Sequence, residues 1–260
     1  MKAKNWIYIC AMVLGVLLLN GCSARRHLTE QEQAFGTQAA TKRDTKQQKT
    51  VRIAIVDSGI STRAIPKEYI DVGKNYVDEA YTTEDTYGHG TAVASIIYQE
   101  VQDCEVIFVP LVTSVYEDRR LRSADGEALA KAVCDAVDVF ACDVINISAG
   151  IEQDNPSLKE AVAYAKEKKV AIVAAVGNDY ETAPGKRYYP AAYESVIAVG
   201  ASDKTGERAD FSQDWADVYV EGVDVPIYLM SGNTDTGSAT SYAAARYTAQ
   251  LATNYVKDGE

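Results

Sequence analysis

Five short β-rich runs without polar alternation constrain this chain more than any other feature. They cover residues 51–56, 105–109, 143–148, 170–175 and 196–201. A strand with one wet face alternates apolar and polar residues, whereas a continuous apolar run suits a strand buried on both faces. Helical patterns lie between the runs. Residues 125–140 carry Leu129, Ala132, Val133, Ala136, Val137 and Phe140 at helical spacing, with Asp125 placed to cap the first turn. Residues 156–169 carry Leu158, Ala161, Val162 and Ala165 and end in Lys166, Lys168 and Lys169, favourable near a helix C-terminus. Buried strands alternating with such helices imply right-handed crossovers and an α/β fold with a mostly parallel central sheet flanked by helices. No internal repeat and no Pro/Gly/Ser-rich linker follows residue 50, so residues 51–260 are expected to form a single domain.

Residues 1–50 read differently. Lys2 and Lys4 precede an apolar run over 7–19, then Asn20-Gly21-Cys22. Thirteen apolar residues, at about 1.5 Å each, fall short of a bilayer but suit the hydrophobic region of a signal peptide. Leu19-Asn20-Gly21-Cys22 resembles a bacterial lipobox, which implies a signal peptide over 1–21 and a lipid on Cys22; Asn20 departs from the smaller or more apolar residue usual there. Residues 22–50 are polar and without hydrophobic period, the composition of a disordered tether. The expected location is the extracytoplasmic face of a bacterial cell membrane.

Charge sharpens the division. The first 50 residues hold eight Lys or Arg and three Asp or Glu; residues 51–260 hold 18 and 34, a net of −16. A body of that sign lacks the positive charge that phosphate binding requires, which excludes nucleic acid as an expected partner. It would tend to attract cationic peptides. Cys104, Cys134 and Cys142 have no metal-like spacing and lie in or beside apolar stretches, so buried thiols are expected, with one disulfide plus a leftover thiol as the alternative.

In open parallel sheets, ligands meet the carboxyl ends of the strands. Asp57-Ser58-Gly59 follows the first run directly; such an Asp could bind a ribose, metal or phosphate, cap a turn or serve catalysis. Gly88-His89-Gly90-Thr91-Ala92-Val93-Ala94-Ser95 runs into an apolar helical pattern, and its glycines leave the imidazole reachable. The chain has two histidines, and the other, His27, lies in the tether. His89 is therefore the natural general base near neutral pH. Asn178, after Ala174-Ala175-Val176-Gly177, is a turn residue or an amide donor toward a developing oxyanion. Thr240-Ser241-Tyr242 opens the last helical stretch, where Ser241 is a helix cap or a nucleophile near positive partial charge.

In the order Asp, His, Asn, Ser, these segments resemble the subtilase family of serine proteases, and the resemblance extends over residues 51–255. Asn146-Ile147-Ser148-Ala149-Gly150, Tyr189-Pro190-Ala191 and Arg208-Ala209-Asp210-Phe211-Ser212 look like further family landmarks. The resemblance implies a peptidase with Asp57, His89 and Ser241 as catalytic triad and Asn178 as oxyanion donor, the latter contributing about 3–4 kcal/mol. It implies that Ser148, Ala149 and Gly150 pair with substrate backbone and wall the primary specificity pocket. The implied partner is a peptide or protein substrate, with basic peptides expected from the charge, and a monomer is expected. No cofactor is required for the chemistry; structural calcium is frequent in the family, but no segment presents clear ligand spacing. Three departures stand out: Ala239 and Ala245 replace a family Gly and Pro, and Val220-Glu221-Gly222 replaces Ala-Pro-Gly. They keep open the alternative of a catalytically decayed lipoprotein that binds peptides or a partner. A flavodoxin-like nucleotide or redox domain would explain the strands, but no G-x-G-x-x-G follows any run.

Overall fold

The computed structural model describes residues 50–101 and 104–257, the side chains of 256 and 257 excepted. The signal peptide, Cys22 and nearly all of the tether lie outside the described residues. In chain order come β1 (Thr50–Asp57), β2 (Lys74–Asn75), α1 (His89–Glu100), β3 (Glu105–Val112) and the hairpin β4 (Ser114–Glu117) and β5 (Arg120–Ser123). Then follow α2 (Gly126–Asp138), β6 (Val144–Ile147), α3 (Pro156–Glu167), β7 (Ala171–Ala175), β8 (Ile197–Ser202) and β9 (Val218–Glu221). The hairpin β10 (Val225–Tyr228) and β11 (Thr234–Gly237) leads into α4 (Thr240–Lys257).

Seven strands form one sheet in the order β2-β3-β1-β6-β7-β8-β9, and every neighbouring pair is parallel. The period of two along β1 sends its side chains to opposite layers. Ala54 and Val56 join α2 and α3 in one core cluster. Ile53 and Ile55 join α1 and the Ala245 face of α4 in the other. From Ile53 onward both faces of β1 are thus buried, as its apolar run suggests, while Arg52 reaches out to pair with Asp71; each buried Ile or Val contributes about 1.5–3 kcal/mol.

The predicted helices form, one with its predicted cap and one with a cap that the sequence did not point to. The Asp125 carboxylate accepts from the Ala128 N–H at 2.9 Å, and the Asn155 side chain caps α3 through the Leu158 N–H at 2.8 Å. α3 ends at Glu167 rather than Lys169 because Lys169 takes a left-handed φ of +63°. β3 extends past residue 109 through Pro110, although a proline argues against strand interior. It is tolerated because β2 pairs only with Leu111 and Val112, so no ladder partner is lost at Pro110. The two hairpins and the short β2 and β9 escaped the sequence pattern, since strands of two to four residues are too short to show a period.

No disulfide joins Cys104, Cys134 and Cys142 to one another. Burial pushes the Cys142 thiol up to about 12, so it is inert at neutral pH.

Candidate active site

The strand order reverses about β1. The chain moves from β1 to β3 on one side and then returns to β6 on the other, so the ends of β1, β6 and β7 open onto one crevice. Asp57 is the last residue of β1 and only 5 % exposed. Its Oδ1 accepts the Ser58 N–H at 2.8 Å.

His89 is the first residue of α1, and its Nδ1 lies 2.8 and 2.9 Å from the two Asp57 oxygens. Both flanking glycines are required, for different reasons. Gly88, at φ +102°, makes the left-handed turn into the helix. Gly90 permits close approach: a Cβ there would stand 2.3 Å from the Gly59 carbonyl oxygen and 3.1 Å from Asp57 Cβ. The Gly90 N–H also donates to Ser58 Oγ at 2.9 Å. Only a residue without a side chain lets α1 settle against the end of β1. Burial alone would lower the His89 pKa; the facing Asp57 charge, its hydrogen bond and the Asp85 charge more than offset that, and the imidazole is held above its ordinary value.

Asp85 was missed at the sequence level. It is 6 % exposed, and its Oδ1 accepts from the Tyr87 and Gly88 N–H groups at 2.8 Å each. Oδ2 accepts from the Thr91 N–H at 2.9 Å and the Thr91 hydroxyl at 2.6 Å. One carboxylate thus gathers four donors at the start of α1 and fixes where His89 leaves the backbone. The available signal was an Asp four residues ahead of the histidine, a spacing suited to satisfying the orphan N–H groups of a helix start.

Ser241 is the second residue of α4 and 4 % exposed, so it lies within the helix rather than capping it. Asn178 follows β7. The left-handed residue in that turn is Gly177, at φ +108°, not Asn178. The Asn178 Oδ1 accepts the Thr240 N–H at 2.7 Å, which leaves its Nδ2 without a partner among the described residues. Asn178, Ser241 and the Ser148-Ala149-Gly150 segment line one cavity of about 310 Å³. Ser148 is oriented from below: the buried Asn146 donates to its Oγ at 3.1 Å and accepts from Thr248 of α4 at 2.9 Å. On the other side, the Tyr242 ring stacks near His89, centroids 6.2 Å apart and planes 23° from parallel. The structure therefore places Asp57, the 148–150 segment and Asn178 at the carboxyl ends of β1, β6 and β7, with His89 on Asp57 and Ser241 lining the cavity of Asn178.

Tyr188 closes that cavity on one side, a role no motif announced. Its ring occupies the space a Cβ on Gly177 would need, at 2.8 Å, and its own Cβ stands 3.1 Å from a Cβ built on Gly150. Its hydroxyl donates to Asp179 Oδ2 at 2.5 Å, and Gln213 donates to Asp179 Oδ1 at 2.9 Å. Burial works against the Asp179 charge, but these two hydrogen bonds hold its carboxyl below the usual range. Lys186 reaches Glu152 at 2.7 Å and Asp179 at 3.9 Å. Tyr189-Pro190, next in the chain, is a cis peptide, and Ile151 and Tyr189 exchange both backbone hydrogen bonds at 2.8 Å.

The departures are accommodated. Ala239 is not among the residues of positive φ, so its methyl meets no left-handed turn. Its carbonyl starts α4 by accepting the Ala243 N–H at 3.3 Å. Gly222 of the altered segment is needed, because a Cβ there would lie 2.7 Å from that carbonyl oxygen. Ala245 is fully buried in the α1–α4 core. Among the described residues no group of three or more His, Cys, Asp or Glu is arranged to hold a metal ion, so no donor set for calcium is assigned.

A buried carboxylate on an imidazole, a hydroxyl at a helix start and an amide lining the hydroxyl's cavity are the kinds of group that acyl-transfer chemistry uses. The chain belongs to the subtilase family, whose profile matches residues 48–255. It is 32 % identical over 211 residues to the minor extracellular protease Epr of Bacillus subtilis, covering 78 % of this chain and 32 % of Epr. It is 31 % identical over 214 residues to the thermophilic serine proteinase of Bacillus sp. strain AK1, covering 80 % of this chain and 52 % of that protein. The chain thus spans about a third to a half of the length of these two relatives. Among solved structures, the prenylagaramide maturation protease PagA superposes with a TM-score of 0.64 at 27 % identity, covering 81 % of this chain and 77 % of PagA.

Proposed function

We propose that this chain is a serine endopeptidase, held by a lipid on Cys22 at the extracytoplasmic face of a bacterial cell membrane and acting as a monomer on peptide or protein substrates. The observation that carries the reading is the paired contact of His89 Nδ1 with both oxygens of the buried Asp57, beside the cavity that Ser241 shares with Asn178.

Asp57 accepts the Nδ1 proton of His89, which leaves Nε2 as the base and fixes the tautomer. Ser241 Oγ attacks the scissile carbonyl while Nε2 takes its proton. The tetrahedral oxyanion receives hydrogen bonds from Asn178 Nδ2 and the Ser241 N–H, in the positive field at the start of α4. The C–N bond breaks as His89 passes the proton to the leaving amine. Water then attacks the acyl-enzyme, His89 takes its proton and returns it to Ser241, and the acid leaves. Side chains and water suffice, and no step is routed through calcium. The body's net negative charge would steer cationic peptides from a distance, but Asp179, the carboxylate lining the Ser241 cavity, is already engaged by Tyr188 and Gln213.

The alternative, a decayed protein that binds peptides without cutting them, draws on Ala239, Ala245 and the Val220-Glu221-Gly222 segment; against it, Ala239 takes no positive φ and Ala245 packs into the α1–α4 core. Labelling of the full chain with a serine-reactive fluorophosphonate decides between the two. Wild type is expected to label and Ser241→Ala is not; an equal signal from both, or none from wild type, refutes the endopeptidase. Run on membrane and medium fractions, the same gel reads the anchor, since Cys22→Ser should move the labelled band to the medium.

A further inference from the structure

A second cavity, about 610 Å³, is lined by His89 and shares no residue with the cavity of Ser148-Ala149-Gly150. Its walls are Tyr87 and His89 from the start of α1, Ile227, Leu229 and Met230 from β10 and the turn after it, and Tyr242. His89 is the one side chain among its lining residues that can carry a positive charge, and none of them is a carboxylate. Two apolar side chains remain open to solvent at this cavity: Tyr87 is 49 % exposed and Leu229 is 40 % exposed.

The walls are held in place. The Leu229 N–H donates to the Asn233 carbonyl and the Gly232 N–H to the Leu229 carbonyl, both at 2.8 Å. Ser61 Oγ donates to the Met230 carbonyl at 2.9 Å, and the Tyr228 N–H donates to Ser95 Oγ of α1 at 2.9 Å. The Tyr242 ring rests on Gly237, where a Cβ would come within 2.5 Å of it. This is a preformed pocket that orders little on filling.

Resting on the endopeptidase reading above, the occupant follows from the path of the proton. His89 must hand its proton to the leaving amine, so the residue bearing that amine lies on the His89 side of Ser241. Its side chain then meets this cavity, whereas the acyl half occupies the cavity of Ser148 and Asn178. We infer that the enzyme selects a large apolar side chain, aromatic or Leu-like, at the residue immediately after the cleaved bond. A charged or small residue there would leave the apolar walls wet or place an unpaired charge against them.

The test uses the full chain and a set of peptides with a common acyl half, differing only in the residue after the scissile bond: Phe, Leu, Ser or Glu. A methyl ester of the same acyl half, whose leaving group is methanol, accompanies them. Wild type is expected to favour Phe over Ser and Glu by roughly tenfold or more in kcat/KM. Leu229→Glu and Tyr87→Glu, both at solvent-open positions, should each collapse the Phe-to-Ser ratio, and Leu229→Met should keep it. A flat wild-type series, or a Phe-to-Ser ratio unmoved by both Glu variants, overturns the inference while ester hydrolysis leaves the endopeptidase standing. Failure of wild type to hydrolyse the ester overturns the endopeptidase reading itself, and the inference with it.

Discussion

The two cavities beside Ser241 differ in size and in chemistry. The one toward Ser148 and Asn178 is about 310 Å³ and mixes hydroxyls, an amide and the Asp179 carboxylate with Ala149, Ala175 and Tyr188; the one toward Tyr87 and Leu229 is about 610 Å³ and mainly apolar. The difference follows from what bounds each. β6 and β7 are hydrogen-bonded neighbours, with Ile147 opposite Ala174. The segments that continue them therefore start one strand spacing apart, roughly 4.8 Å. Glycines at 150 and 177 keep that slot open, and Tyr188 then fills part of it. The other cavity lies between the start of α1 and the β10–β11 hairpin, which share no ladder and stand as far apart as their side chains hold them. The carboxyl ends of two paired strands thus offer a narrow slot of mixed polarity, and a helix–hairpin junction offers a wide apolar one.

Three substitutions break or sharpen that contrast. The largest effect is expected from Asn178→Ala, which removes the proposed oxyanion donor. Peptide kcat should fall by about 10²–10³, roughly 3–4 kcal/mol, equally for every residue after the cleaved bond. A loss confined to one peptide subset would assign Asn178 to substrate selection instead.

Asp85→Asn acts on the His89 side. An amide cannot accept at both positions, so it leaves donors at the start of α1 unmet, at about 1.5–3 kcal/mol, a tenfold to hundredfold loss. The pH profile separates positioning from general damage. His89 must be neutral to accept the Ser241 proton, so the acid limb of kcat/KM follows its pKa in the free enzyme. That pKa is raised in part by the Asp85 charge; removing the charge should move the limb to lower pH. An unmoved limb would leave Asp85 a purely structural role.

The smallest and most local change is Tyr188→Ala. Widening the slot should raise cleavage after large aromatic residues by roughly tenfold relative to cleavage after Ala. Preference on the leaving-group side should not change. Peptides varied on each side of the bond check this, and a change on both sides would show that the two cavities are coupled.

Much of this was legible beforehand. The run at 51–56 announced a doubly buried strand, and both its faces are covered. The isolation of His89 among the histidines, between two glycines, singled out the imidazole that the structure pairs with Asp57. Asp85 left only a weak signal, its spacing ahead of His89, and Tyr188 left none, because its ring meets Gly150 and Gly177, which sequence spacing does not relate to it. Pro110 shows the reverse failure: a sound local rule yielded because the neighbouring strand was too short to need its N–H.

By itself, then, the sequence determined the α/β class, the parallel sheet, the Asp125 cap and the four residues on which the proposed chemistry rests. Those features depend on periodicity, on caps within four residues and on motifs at strand ends, all of which are local. Tertiary structure alone decided that Asp57 grips His89 with both oxygens and that Tyr188 closes one cavity while the β10–β11 hairpin shapes the other. Those outcomes depend on how closely distant backbones approach, and at Gly90, Gly177 and Gly222 that distance is set by the absence of a single methyl group.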